Sequence, residues 1–412
     1  MKKIEVKYGL PEKVVFCKKC VISNQRPNST VEFKHTKNEK KSTIAFDQNG
    51  ICSACLVAQK KEQEINWKNR EKELTELLDK YRRNDGYYDV IVPGSGGKDS
   101  IFASYILKNK YGMHPLTVTW PPHIYTGIGF KNFENWIATG IDNVLMSPNG
   151  QVHRLLTRLA FENLLHPFQP FIIGQKNVAP KIAVRYKVPL IMYGENEAEY
   201  GNPSKDVLKA VRNKTYFSSN TNPEEFFLGG VVVKELYKKY KLTKFDLEPY
   251  FPVTSDEVIK NKIEVHYLGY YLKWDPQEMY YFVTDYGFRP NTERTEGTYS
   301  KYNSIDDRID GFHYWTTYIK FGIGRATYDA AQEIRNKKIT REEGVSLVQR
   351  YDGEFPKKYF KEILEYMDIN EERFWHLVNK ARSPHLWKKT NGKWKLRYAV
   401  SGDGVDDKNN LK

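Results

Sequence analysis

Hydrophobic positions change their spacing at two points along the chain. From residue 61 to 83, KEQEINWKNREKELTELLDKYRR places Ile65, Leu74, Leu77, Leu78 and Tyr81 at helical intervals among charges, which predicts an amphipathic connecting helix. From Asp89 onward, short apolar runs alternate with longer helical patterns. DVIV reads as a buried strand and DSIFASYILKNKYG as a helix stopped at Gly112. PLTVTW is a second strand, KNFENWIATG a helix, NVLMS a third strand and QVHRLLTRLAFENLL a helix; AVRYK then leads into a fourth strand, VPLIMY. This alternation predicts an α/β fold, a parallel sheet with helices on both faces. Beyond residue 250 the pattern is mainly helical, and TREEGVSLVQRY opens with Thr340 and Glu343 at capping-box spacing. The aromatic cluster over 267–288, with Tyr267, Tyr270, Tyr271, Trp274, Tyr280, Tyr281 and Phe282, reads as core; stacking on a base or sugar is the other reading.

A length of 412 residues fits two to three domains of roughly 150 residues, and 40% hydrophobic residues fit a globular protein with a sizeable core. The divisions expected are a cysteine-bearing region at 1–60, the connecting helix at 61–85, the sheet domain at 86–250, a mainly helical part at 251–400 and a disordered tail at 401–412. No apolar run approaches the roughly 20 residues needed to span a bilayer. Glu5, Lys7, Glu12 and Lys13 break up any signal-peptide core, so a cytoplasmic location is expected. A net charge of +14 suggests anionic partners, such as nucleotides, nucleic acid or a membrane surface; a lysine-rich solvated surface explains it equally.

The chemistry concentrates in VPGSGGKDS, between the first strand and its helix. Walker A spacing fails, because position 92 is Val and Asp99 follows Lys98. A G-x-G-x-x-G fingerprint fails too, because counting from Gly94 puts Asp99 where the third glycine belongs. S-G-G-x-D-S fits: Ser95, Gly96, Gly97, Lys98, Asp99 and Ser100. Glycines let backbone N–H groups approach phosphate oxygens, the helix start favours negative charge, and the serines donate further hydrogen bonds. Bare phosphate would repel Asp99, so an intervening Mg²⁺ is implied. The bland alternative is a glycine-rich turn without a ligand.

This motif resembles that of the PP-loop (N-type ATP pyrophosphatase) superfamily. The resemblance implies a HUP-like, adenine nucleotide alpha hydrolase fold in which ATP is cleaved between its α- and β-phosphates and AMP is transferred. Gly194-Glu195 in YGENEAEYG is similar to the Gly-Glu pair of the asparagine-synthetase branch. There Glu195 would take protons from incoming ammonia or help hold metal, unless the segment is simply a solvated acidic loop. Thr119, at the end of the second strand, and Gly194 are expected beside the ATP. In KFGIGRATYDAAQEIR, Lys320 and Arg325 could neutralise charge on a phosphate or oxyanion; surface salt bridges are the bland reading.

All four cysteines lie in the first 55 residues, which is unlike a disulfide framework. Cys17-x-x-Cys20 and Cys52-x-x-Cys55 form two knuckles, a pattern that points to one tetrahedral, structural Zn²⁺ site. Redox cycling is the alternative. The basic stretch between the knuckles is expected to be an extended hairpin. The double knuckle, connecting helix and VPGSGGKDS, followed by KNFENWIATGIDNVLMSPNG, YGENEAEYG and IKFGIGRATYDAAQEIRNKKITREEG, resemble in that order the N-acetyl sugar amidotransferases of the WbpG and PseA type. That resemblance covers about residues 14 to 350. It implies ATP, Mg²⁺ and Zn²⁺ as cofactors and a nucleotide-activated sugar whose acetamido group becomes an acetamidino group. It also implies ammonia from a HisH-like glutaminase with a HisF-like subunit, with neither membrane nor nucleic acid as a partner. A tRNA-thiolating PP-loop enzyme is the other reading. Sulfur transfer there normally requires further cysteines, and four zinc ligands leave none.

Overall fold

The computed structural model describes residues 4–202 and 209–401. The anticipated tail lies almost entirely outside these residues.

Five parallel strands form the central sheet: β1 (Val90–Pro93), β2 (Pro115–Thr119), β3 (Asp142–Leu145), β4 (Leu190–Tyr193) and β5 (Glu264–Tyr267), in the order β3-β2-β1-β4-β5. The register runs Val90↔Pro115, Leu116↔Asp142, Val90↔Leu190 and Leu190↔Glu264. Strands buried on both faces need no polar alternation. That is why DVIV and VPLIMY read as continuous apolar runs. Alternate side chains still part to opposite faces: Val90 and Val92 join one core, Ile91 the other. The fifth strand lies beyond residue 250, so the sheet continues past the boundary expected for its domain. EVHY is short and interrupted by Glu264 and His266, so it carries little strand signal of its own.

The segment expected as one connecting helix is two, α1 (Ser53–Gln63) and α2 (Trp67–Tyr81). The Asn66 side chain accepts from Asn69 N–H and starts the second, and Trp67 Nε1 donates to Lys61 O at 3.1 Å, folding α2 back against the end of α1. On one face of the sheet, α2, α3 (Lys98–Asn109) and α4 (Gly127–Ala138) enclose Leu74, Leu78, Ile101, Leu107 and Trp136. The indole of Trp136, 1% exposed, is not left unsatisfied: its N–H donates to Ser104 Oγ at 2.8 Å. On the other face lie α5 (Gly150–Leu164) and α6 (Gln169–Tyr186). Only the end of α6 is legible as AVRYK. Pro170, Gly174 and Pro180 look like breakers, and the buried helix lacks the polar face that makes a periodicity visible. Gly174 is required there, since a Cβ would come within 2.0 Å of the Trp120 ring.

The C-terminal part is mostly helical. It includes α7 (Asp310–Phe321), α8 (Arg325–Arg335) and α9 (Arg341–Tyr351), the last started by the expected Thr340–Glu343 capping box. In the aromatic cluster, Tyr267, Tyr271 and Trp274 are core residues, whereas Tyr281 is exposed. Among the described residues, no helix is long and apolar enough to cross a membrane.

The stretch between the knuckles pairs as a hairpin only at its base, where Ile44 N–H donates to Arg26 O and Asn28 N–H to Ser42 O, both at 2.9 Å; the rest is irregular where an extended hairpin was expected. A single 3₁₀ turn, Glu32–Lys34, and isolated bridges Pro27↔Thr43 and Phe46↔Cys52 replace strands. Its lysine-rich chain has no alternating apolar face to pair; Phe33 and Ile44 anchor it instead. The region packs on the C-terminal helices: Val21 and Ile22 meet Ala330, Ala331 and Val345.

Candidate functional site

Strand β1 delivers the chain to Gly94, and α3 takes over at Lys98. The loop between is pressed flat. A Cβ on Gly94 would fall 2.1 Å from Ser100 Cβ, and Gly96, at φ +86°, would bring one within 2.7 Å of Phe133 Cα. Close approach therefore fixes Gly94, and close approach together with a left-handed backbone fixes Gly96. Gly97 differs: its φ is −73° and a Cβ would meet only Ser95 Oγ, at 3.8 Å. Its freedom faces the cavity, where a missing side chain lets a ligand oxygen approach the start of α3.

That cavity is about 410 Å³, within the usual range for a small-molecule site. Ser95, Gly96, Gly97, Lys98 and Asp99 form one wall; Glu195 and Tyr200 come from the loop after β4. Asp306, Asp310, Tyr314, Arg325 and Gln332 form the opposite wall, from the C-terminal part. Ser95 Oγ donates to Asp306 Oδ2 at 2.9 Å, tying the two walls together. Lys98 Nζ lies 2.6 Å from Asp99 Oδ2, while Asp99 Oδ1 is buried with no partner among the described residues, a carboxylate oxygen suited to a hard cation. Glu195 accepts from Gln332 Nε2 at 2.7 Å and from Tyr200 Oη. Burial, and then the Asp99 charge, push the Glu195 carboxyl above the usual carboxylate range. Burial likewise pushes Asp310 up to about 7, against the opposing pull of Arg325. Arg325 Nε sits 3.0 Å from Asp329 Oδ1. Burial, and then the Asp307 charge, raise Asp306 as well, so a nucleophile's proton has three carboxyl groups within the cavity with raised basicity.

The fold thus gathers Ser95, Gly96, Gly97, Lys98, Asp99, Glu195 and Arg325 of the residues expected at the site. It does not bring Ser100, Thr119, Gly194 or Lys320 to the cavity lining. Ser100 Oγ donates to Gly97 O at 2.9 Å and braces the loop from behind. Thr119 is fully buried at the end of β2, where its hydroxyl accepts from Asn143 Nδ2 at 3.0 Å. Gly194 makes room for Trp274, 2.9 Å from where its Cβ would be, and its carbonyl accepts from Gly269 N–H at 2.8 Å. Lys320 is buried one cavity away, donating to Leu164 O at 2.8 Å. Asp306, Asp310, Tyr200 and Gln332 escape sequence reasoning; the signal available was the acidic SIDDRID segment, which no phosphate or metal motif singles out.

The four cysteine sulfurs lie within 4.8 Å of one another and are buried. Cys17 and Cys55 Sγ are 3.9 Å apart, Cys20 and Cys52 Sγ 3.7 Å. One metal with four bonds of about 2.3 Å sets its sulfurs about 3.8 Å apart, so the cage fits a single tetrahedral ion. Backbone N–H groups of Lys19, Cys20 and Cys52 point at Cys17 Sγ at 3.4, 3.5 and 3.3 Å, an arrangement that stabilises a thiolate. The cysteine region also holds the Glu195 loop. Ser53 Oγ donates to Gly201 O at 2.7 Å, and Lys61 pairs with Glu199 at 2.6 Å.

Residues 296–400 match the family described as LPS biosynthesis protein WbpG-like, C-terminal domain. A curated relative, an uncharacterized protein of Methanocaldococcus jannaschii, is 37% identical over 84 residues, 20% of this chain; the match spans 29% of that relative's length. Similar solved structures include the U34-tRNA thiolase NcsA from Methanococcus maripaludis with its [4Fe-4S] cluster, at 11% identity over 76% of this chain and 87% of that one, TM-score 0.31. The NH₃-dependent NAD synthetase from Campylobacter jejuni matches at 12% identity over 54% of this chain and 93% of that one, TM-score 0.28. Likeness this loose carries no weight for the activity of the chain.

Proposed function

From a chain that carries a WbpG-like C-terminal domain behind a PP-loop sheet domain, we propose an ATP-dependent amidotransferase acting on the acetamido group of a nucleotide-activated sugar, in the cytoplasm, for surface-polysaccharide synthesis. The observation that carries the proposal is the shared cavity: the S-G-G-x-D-S loop forms one wall, and the WbpG-like domain closes it with Asp306, Asp310, Arg325 and Gln332.

An amide oxygen is a poor leaving group, and adenylylation makes it a good one. The acetamido oxygen attacks the α-phosphorus of ATP, the bond to pyrophosphate breaks, and an O-adenylyl imidate remains. Ammonia nitrogen then bonds to the imidate carbon, the carbon–oxygen bond breaks, and AMP leaves with that oxygen. The nitrogen sheds protons, which Glu195, its pKa raised by burial, would accept. Backbone N–H groups of Gly96 and Gly97 would cradle phosphate, and Arg325 would offset developing negative charge. Mg²⁺, held by the free Asp99 oxygen, would screen the charge on the triphosphate. We assign zinc to the cysteine cage; a multi-iron cluster, with each cysteine on a different iron, would hold the sulfurs farther apart.

With every thiol of the chain in that cage, none is left as a glutaminase nucleophile. The purified chain is therefore expected to form AMP with nucleotide-sugar and free ammonium, and not with glutamine, until a HisH-like glutaminase and HisF-like subunit are added. Turnover on glutamine by the chain alone would overturn the need for partners. The same count disfavours sulfur transfer to tRNA, which needs a thiol to carry sulfur.

A further inference from the structure

A second cavity, about 320 Å³, adjoins the PP-loop cavity and shares Tyr200, His313, Tyr314, Arg325 and Gln332 with it. The two differ in charge. Lys98 and Arg325 face five carboxylates in the first: Asp99, Glu195, Asp306, Asp307 and Asp310. In the second, Arg26, Lys41, Lys320 and Arg325 face two, Glu32 and Asp329. Both of those acids are engaged already, Glu32 with His35 at 3.2 Å and Asp329 with Arg325 at 3.0 Å. Lys41 pairs with Glu39 at 3.0 Å.

Arg26 and Lys320 stand apart. They are 6% and 5% exposed, and among the described residues neither pairs with a carboxylate. Arg26 Nη1 reaches Asn202 Oδ1, at 3.5 Å, and its guanidinium lies 5.9 Å from the Tyr328 ring; Lys320 donates to the Leu164 carbonyl and lies 5.2 Å from the Tyr8 ring. A buried cation without a directly paired carboxylate is costly: burial, and then the Lys41 charge, pull the Lys320 pKa down to about 7 against the opposing pull of Glu32 and Glu39, and burial lowers that of Arg26. Such a pair persists at a site where a ligand brings the missing negative charge.

We propose that this second cavity is the acceptor site, and that Arg26 and Lys320 hold the diphosphate of a nucleoside diphosphate. The reacting group would then extend past Arg325 and Tyr314 into the PP-loop cavity. This assignment rests on the amidotransferase reading for the identity of the acceptor. It also gives the cysteine region a direct part in the site, since Arg26 belongs to that region and is fixed by backbone bonds from Arg26 N–H to Ser23 O and from Ile44 N–H to Arg26 O. A diphosphate could also come from ATP itself, as the departing pyrophosphate, so the test separates the two sources.

The metal-loaded full chain is titrated calorimetrically with UDP, with inorganic pyrophosphate and with ATP, as wild type, Lys320→Met, Lys320→Arg and Arg26→Gln. The expected result is UDP affinity lowered roughly tenfold or more by Lys320→Met and by Arg26→Gln, the loss of one charge-assisted contact. Lys320→Arg should restore most of it, and ATP affinity should move less than about twofold. If Arg26→Gln loses its metal or its fold, the Lys320 pair carries the comparison. Unchanged UDP affinity in Lys320→Met overturns the proposal, and so does a loss confined to pyrophosphate and ATP. UDP binding of the expected pattern in a chain that never forms AMP would leave the cavity assignment standing and remove the amidotransferase reading.

Discussion

Replacing Asp99 by asparagine is expected to lower kcat roughly a hundredfold or more while KM for ATP changes far less. The amide keeps the size of the side chain and one carbonyl acceptor but loses the charge that a hard cation requires. ATP can still dock through the N–H groups of Gly96 and Gly97, which the substitution does not touch. The missing interaction matters most as pyrophosphate departs, so the loss falls on the transition state more than on binding. The geometry sharpens this expectation: one Asp99 oxygen pairs with Lys98 at 2.6 Å and the other is buried and free. Ser95→Ala should be milder, because neighbouring backbone donors remain and the lost bond, to Asp306, is between protein groups. Steady-state kinetics with saturating acceptor checks both. Near-normal turnover in Asp99→Asn together with an inactive Ser95→Ala would contradict the assigned roles.

Cys52→Ser is expected to be the most damaging change outside the S-G-G-x-D-S cavity. A serine hydroxyl stays protonated and is a poor ligand, and a structural zinc site contributes on the order of 10 kcal/mol of apparent binding energy to the fold around it. Metal content should fall from about one zinc per chain toward none, and the cysteine region should lose its order. The damage should spread to the chemistry. Ser53 and Lys61 hold the loop that carries Glu195, and Arg341 reaches Cys20 O at 3.3 Å from the start of α9 in the C-terminal part. Metal analysis and thermal unfolding of the purified chain check this. Wild-type protein without zinc, or with a disulfide between the knuckles, would contradict it.

Local chemistry was legible in the sequence wherever a motif fixes its own neighbours. The S-G-G-x-D-S loop folds on itself through Gly94, Gly96 and Ser100, so much of its shape follows from residues 94–100, with Asn132, Phe133 and Trp136 of α4 packed against its glycines. The two cysteine knuckles are local in the same sense, Cys17 and Cys20 sharing a turn and Cys52 and Cys55 the first turn of α1, so that each presents two sulfurs. What remained hidden depends on distant segments meeting. Asp306 and Asp310 matter because α7 begins across the cavity from Ser95, some two hundred residues away in sequence. Lys320 shows the converse: its charge suggested phosphate, but the side chain turns toward the Leu164 carbonyl at the end of α5, into the neighbouring cavity. Helix α6 was masked by its own burial, which removes the polar face from which a period is read.

The central claim is the conversion of an acetamido oxygen to nitrogen, and mass spectrometry of the sugar nucleotide tests it most directly. The purified chain is incubated with ATP, Mg²⁺, ammonium and a panel of UDP- and CMP-linked N-acetyl sugars. The account predicts that one of them loses about one mass unit, as O is replaced by NH, with AMP formed in equal amount. Consumption of ATP to AMP while every sugar nucleotide keeps its mass would contradict it.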